Sequence, residues 1–355
     1  MRLARPRGRA DMGEGQCLTW AVKRLQWRFL AEFRLWVRAS LMANPKQAGK
    51  RKKKKKSHPA VDYLLYLAMR VAALLLTIAD VNSSLRLARA LGHGLYLIYG
   101  RGRERAIANL ERSFPERGRA WAERTARRSF EHIVMLAFDV LYTARLVRLS
   151  TWRRYIELGD LSVPLGMILR GRGVIMLTGH YGNFEILGYT LATFGLESYS
   201  IARPIDNPYI NRYLLGVRER MGQIIVDKKG ATDAMLNILD KQATLAFIAD
   251  QNAGRKGIFV DFFNRKASTY KSIGLLAMQY NLPIVVGYAR RVDDRYRFKV
   301  GVTRVIQPED WQDKDDPLRW ITAEYTRAIE DFVREDPEQY WWVHRRWKTR
   351  PPGEE

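Results

Sequence analysis

His180 and Glu185 stand five residues apart in GHYGNFE, residues 179–185, and an imidazole with a carboxylate can move a proton. Neutral imidazole, with an ordinary pKa near 6.5, can take the proton of an attacking hydroxyl. A carboxylate on its far nitrogen fixes the tautomer and stabilises the imidazolium that forms. That chemistry suits acyl transfer from a thioester, because the acceptor hydroxyl attacks directly and no protein nucleophile is required. Spacing alone says less, since a lone His five residues from a Glu is more often structural than catalytic. A regular helix would also set the two about 140° apart, so a contact needs a turn, which Gly179 and Gly182 allow. Gly182 and Asn183 lie where a helix begins, so their amides could face a substrate and help hold a developing oxyanion.

The segments around this pair predict how it is held. GVIMLTG (173–179), SYSIA (198–202), QIIVD (223–227), TLAFIAD (244–250), GIFVDFF (257–263), PIVVGYA (283–289) and RYRFKVGV (295–302) are short, β-branched or aromatic runs. Apolar helical stretches at 184–194, 208–221, 231–241 and 270–280 separate several of them, and 317–335 reads as a closing helix. This alternation predicts an α/β fold, a mostly parallel or mixed central sheet covered by helices. His180 then sits at the carboxyl end of a strand, where such folds bind ligands.

Upstream the chain changes character. Residues 1–58 hold 17 Lys/Arg against Asp11, Glu14 and Glu32, and the whole chain has a net charge of +24, so the remainder is basic too. Residues 17–42 interleave tryptophans, Phe29, Leu30 and Phe33 with cations, as an amphipathic helix on an anionic surface does. The seven cations KRKKKKK at 50–56 cannot pack and suit anionic headgroups or a solvated linker. Residues 63–79 are apolar but for Arg70. As a helix they reach about 25 Å, slightly short of a bilayer core of about 30 Å. A marginal span, a monotopic hairpin and a buried core helix all fit this segment. The expected organisation is a basic extension over 1–58, partly disordered, an anchoring helical region over 59–100, and a catalytic domain over 101–351. With one cysteine, Cys17, no internal disulfide can form. No Cys/His ligand spacing and no GxxxxGK[ST] loop is present, so neither a metal nor a cofactor is expected.

GHYGNFE resembles the His-x4-acid motif of glycerolipid acyltransferases, in the form found in the lipid A biosynthesis acyltransferase family of lauroyl and myristoyl transferases. NLERSFPE (109–116), ARPIDNP (202–208), DQNAG with GIFVDFFNRKAST (250–269) and HRRWKTRP (344–351) resemble further blocks of that family, in order. The likeness spans about 61–351, and the first 58 residues have no counterpart in it. It implies His180 as general base and Glu185 as its orienting partner. It implies Arg203 facing phosphate or the acyl donor, and Asp250 and Gln251 at a strand end beside the same cleft. For those two, a cap and hydrogen-bond network is as good a reading as direct catalysis. His344 to Trp347 carry no assigned chemistry, and His58, His93 and His132 have no partner pattern.

The expected function is an O-acyltransferase at the cytoplasmic face of the inner membrane. It would move a fatty acyl chain from acyl carrier protein or coenzyme A to a lipid hydroxyl, such as that of a lipid A precursor. Another membrane lipid, a glycophospholipid mannoside or an aminolipid, would suit the same chemistry. A nucleic-acid binder using the basic arm is disfavoured, because the cations spread over the body and no such motif is present.

Overall fold

The computed structural model describes residues 58–202, 205–219, 223–227, 235, 238, 239, 241 and 243–354. The amphipathic segment 17–42 and the cation run 50–56 lie outside these residues.

Four helices come first: α1 Pro59–Ile78, α2 Val81–Ile98, α3 Gly100–Ser113 and α4 Gly118–Leu146. Asp80 starts α2 by accepting the Ser83 amide at 3.0 Å, which satisfies one of the free first-turn donors. Ser84, Leu85, Ala88 and Gly92 form the buried stripe of α2, against α4. Gly92 is required there, since a Cβ would lie 2.4 Å from the Glu131 Cα. The apolar segment around Arg70 forms α1, but as a mostly exposed helix. Leu64 is 63% exposed, Leu74 62% and Ile78 78%. It meets the body at both ends: Tyr63 and Tyr66 pack against Tyr209, the Arg70 guanidinium lies over the Tyr213 ring, the Asn207 amide donates to the Asp62 carbonyl, and the Tyr142 hydroxyl of α4 donates to the Leu76 carbonyl.

The remaining chain alternates strand and helix: β1 Ile156–Leu158, α5 Ser162–Leu169, β2 Ile175–Thr178, α6 Phe184–Thr193, β3 Ser198–Ala202, α7 Pro208–Glu219, β4 Gln223–Asp227 and β5 Thr244–Ile248. The hairpin β6 Ile258–Phe262 with β7 Arg265–Thr269 follows, then α8 Lys271–Tyr280, β8 Ile284–Arg291, β9 Phe298–Ile306 and α9 Pro317–Glu335. The main sheet has the order β1-β9-β8-β2-β5-β3-β4, parallel except where β8 meets β9. The expected α/β architecture, with a mostly parallel sheet and helices, is present.

Two strands escaped the sequence reading for identifiable reasons. β1 has only three residues, and β7 (Arg-Lys-Ala-Ser-Thr) is polar at its start. The β6–β7 turn runs through Phe263 and Asn264, both at φ near +52°, the left-handed geometry that a tight hairpin needs. β2 is central, with Ile175 opposite both Leu245 of β5 and Ile284 of β8. Its Ile175 and Leu177, and Val174 just before them, are buried, as a strand covered on both faces requires.

Candidate active site

β2 ends at Thr178, and β5 pairs it with Ile248 opposite Thr178. Two residues beyond each partner stand His180 and Asp250, so strand register delivers both to the same height above the sheet. Asp250 Oδ1 lies 2.7 Å from His180 Nδ1, and Oδ2 accepts the His180 backbone N–H at 2.8 Å. Gly179 permits this approach, because a Cβ there would sit 3.3 Å from Asp250 Oδ2.

Burial of Asp250 disfavours its charge. The adjacent His180, its ring and backbone hydrogen bonds, and His344 outweigh that and hold the carboxyl far below the usual carboxylate range. An ionised Asp250 accepts only, so the proton between them belongs on Nδ1, leaving the Nε2 lone pair as the base. The Gln251 side-chain amide approaches Nε2 at 3.4 Å. Three rings wall the imidazole: His344 at 4.5 Å between centroids, Trp341 at 5.1 Å and Phe184 at 5.3 Å. Burial, then the neighbouring His180, drives the His344 pKa down to about 4, so it is neutral at pH 7.

Glu185 is placed differently from the expectation. The carboxylate on the imidazole is Asp250, and Glu185 instead forms a two-pronged pair with Arg218 of α7, through Nε at 3.1 Å and through Nη2. The reason is helical: Glu185 lies in the first turn of α6, and rotation carries it away from the strand end that bears His180.

Gly182 and Asn183 are corrected as well. The Gly182 amide donates to the Gln339 carbonyl at 3.0 Å and the Asn183 amide to the Ala289 carbonyl at 2.8 Å. These donors are committed to the protein, not turned to a substrate. Gly182 has φ +53°, and a Cβ there would lie 2.0 Å from the Ala289 carbonyl oxygen, so only glycine fits. Asn183 caps α6 by accepting the Ile186 amide at 3.1 Å. Its own amide donates to Asp139 at 3.1 Å, and Asp139 is also ion-paired with Arg291 in full burial.

His132, without a pattern in the sequence, lies beneath the same loop with Nε2 3.1 Å from the Gly182 carbonyl. A carbonyl only accepts, so Nε2 carries the proton. Burial, reinforced by Arg291, pushes its pKa down to about 3. His344 and His132 were both missed because each reaches the site from a distant part of the chain. The HRRWKTRP block was the one available signal for His344. Arg203 lies outside the described residues.

An apolar cavity of about 150 Å³ opens beside the site. Glu185, Arg218, Thr178 and Phe184 line it with Ala246 and Val302, between α5, α6 and the sheet. His180, Asp250 and His344 bring potential metal-ligating atoms within 4.8 Å of one another. Yet His180 Nδ1 and Asp250 Oδ1 at 2.7 Å are closer than two ligands about 2.0 Å from one tetrahedral ion, which stand roughly 3.3 Å apart. The geometry fits a hydrogen-bonded proton-transfer pair better than a metal site.

Residues 50–349 match the family described as bacterial lipid A biosynthesis acyltransferases. The chain is 26% identical over 253 residues to a lipid A biosynthesis lauroyltransferase of Escherichia coli K12, covering 69% of this chain and 78% of that one. It is 26% identical over 255 residues to the palmitoleoyltransferase of the same strain, covering 70% and 79%. With its myristoyltransferase it shares 24% over 257 residues, covering 71% and 77%.

Proposed function

The chain belongs to the bacterial lipid A biosynthesis acyltransferase family, and on that premise we propose that His180 and Asp250 perform acyl transfer to a hydroxyl of a lipid A precursor. The carrying observation is the 2.7 Å contact between Asp250 Oδ1 and His180 Nδ1 beside an apolar cavity. In this reading Nε2 takes the acceptor's hydroxyl proton as its oxygen attacks the thioester carbonyl. Asp250, already ionised, stabilises the imidazolium without being protonated. Collapse of the tetrahedral intermediate breaks the C–S bond, and His180 returns the proton to the departing thiolate. The acyl donor is a thioester of acyl carrier protein or coenzyme A, and no metal or other cofactor enters any step.

The cavity is suited to the acyl chain, because its Leu, Ile, Val and Phe lining removes methylenes from water at about 0.8 kcal/mol each. Glu185 and Arg218 supply the charged part of its lining, where the ion pair would orient the thioester end. Arg203 keeps its reading as a cation for phosphate or donor.

The site would work at the inner face of the cytoplasmic membrane. α1 leaves Leu64, Leu65, Val71, Leu74, Leu75 and Ile78 exposed, and α2 leaves Leu87, Leu91 and Ile98. An apolar surface of that extent is stable against lipid, not water. Residues 59–76 are long and apolar enough to cross a bilayer by composition. Contacts with the body along its length, at Asp62, Arg70 and Leu76, favour a helix lying in one leaflet instead.

The deciding experiment follows labelled acyl transfer from an acyl thioester to a lipid A precursor, with wild type and His180→Ala compared. Wild type should transfer, and the variant should lose nearly all turnover while still sedimenting with membranes. Full transfer by His180→Ala would sink the reading.

A further inference from the structure

We propose that Arg112, Arg265 and Arg350 form a binding site for a phosphate group of one of the two substrates, an inference that rests on the acyl-transfer reading above. Three segments meet here, and the mechanism uses none of these arginines: NLERSFPE, the β6–β7 hairpin and HRRWKTRP. Arg265, first residue of β7, lays its guanidinium 3.5 Å from the Trp347 ring centroid. Its Nη2 donates to the Ser113 hydroxyl at 2.8 Å and the Asn109 carbonyl at 3.3 Å. Those contacts put it beside Arg112 at the end of α3, and beside Arg350, three residues past Trp347. Both flanking arginines are exposed.

What is unusual is the charge balance. Among the described residues, no carboxylate lies within 4.0 Å of any of these three guanidiniums. The nearby acids are engaged elsewhere, Glu111 with Arg119 and Glu330 with Arg334 and the Phe263 amide. Arg265 Nε is buried with no hydrogen-bond partner. Partial burial, with Arg112 and Arg350 adding repulsion, lowers the Arg265 pKa to about 10. A half-buried cation beside two like charges is stabilised by an anion bound among them. Guanidiniums present forked N–H donors, which match the tetrahedral oxygens of a phosphate, and stacking on Trp347 fixes that of Arg265.

The site also lies at a useful distance. Asn252, two residues after Asp250, donates to the Thr349 hydroxyl at 2.9 Å, and Arg350 is next in the chain. By chain connectivity the cluster stands on the order of 15–20 Å from the reacting centre. A substrate could therefore anchor a phosphate here while its hydroxyl or thioester reaches His180. Two sources carry such a group, the headgroup of the acceptor lipid and the phosphate-bearing arm of the acyl donor.

The test uses the full chain in detergent micelles and the double variant Arg112→Gln/Arg350→Gln, whose exposed side chains can be changed without emptying the core. KM should rise at least about tenfold for one substrate while kcat falls far less. A rise confined to the acceptor identifies its headgroup, and one confined to the donor identifies the carrier arm. Pyrophosphate should inhibit wild type competitively against that same substrate and raise its Tm, and should do neither in the variant. KM values unchanged within about twofold, or a defect seen only as weaker binding to anionic vesicles, would overturn the proposal. An inactive wild type would sink the acyl-transfer reading instead. The pyrophosphate-dependent Tm difference would then still decide whether the anion site exists.

Discussion

Asp250 holds His180 at two points, its Oδ1 at the ring Nδ1 (2.7 Å) and its Oδ2 at the backbone N–H (2.8 Å). One carboxylate thereby fixes both the rotamer and the tautomer of the imidazole. Glu185, five residues from His180 in sequence, is engaged with Arg218 in the cavity lining. The two acids should therefore fail differently when neutralised.

Asp250→Asn keeps the shape but removes the charge that stabilises the imidazolium, so kcat should fall on the order of 10²–10⁴-fold. Glu185→Gln breaks the Arg218 pair and should act mainly on KM for the donor. Steady-state kinetics with both substrates varied checks this, and equal kcat losses with unchanged KM in the two variants would contradict it.

The cavity should set acyl length. Ala246→Phe adds a ring to its lining, displacing roughly two to four methylenes at about 0.8 kcal/mol each. Competition between donors of graded length should show the preference moving to shorter chains. An unshifted preference would separate this cavity from the acyl chain.

Acid should loosen the support of the loop that carries His180. Burial holds the His132 pKa near 3, while in the unfolded chain it is near 6.5. The folded pKa is depressed, so the unfolded state binds the extra proton between those values, and stability falls as pH drops through that window. Each unit below 6.5 costs up to about 1.4 kcal/mol on this account, or roughly 2 kcal/mol between pH 6.5 and 5. Burial pushes Asp139 and Asp336 up to about 6, and they act in the opposite sense, so the single variant isolates the effect. His132→Asn should lose stability at pH 7 but show a smaller Tm drop from pH 7 to 5 than wild type. Identical pH slopes would rule out His132 as the source.

Membrane attachment through α1 should respond to charge placed on its exposed face. Replacing Leu64 and Leu75 by Asp removes two apolar contacts worth about 1.5–3 kcal/mol each with lipid. Binding to vesicles should fall by more than about a hundredfold, with Tm in detergent unchanged. Undiminished sedimentation with vesicles would show that α1 is not the attachment surface.

The alternation of short apolar runs with helical stretches made the α/β class legible in the sequence, because side-chain periodicity is a local property. The boundaries of β3, β4 and α9 came out as read. His180 was equally legible, since a strand followed by a glycine turn and a capped helix start can be seen in 23 consecutive residues. Its partner was not. Which carboxylate meets it depends on β5 being the strand beside β2, with Ile248 opposite Thr178, and no spacing within one segment encodes that register. The same holds for His344, His132 and the Arg112–Arg265–Arg350 cluster, which are assembled from segments up to some 240 residues apart. Sequence fixes which side chains are available and on which face of an element they stand. Only packing brings a histidine from one strand end to an aspartate from the next, because buried charges persist only where the fold supplies their partners.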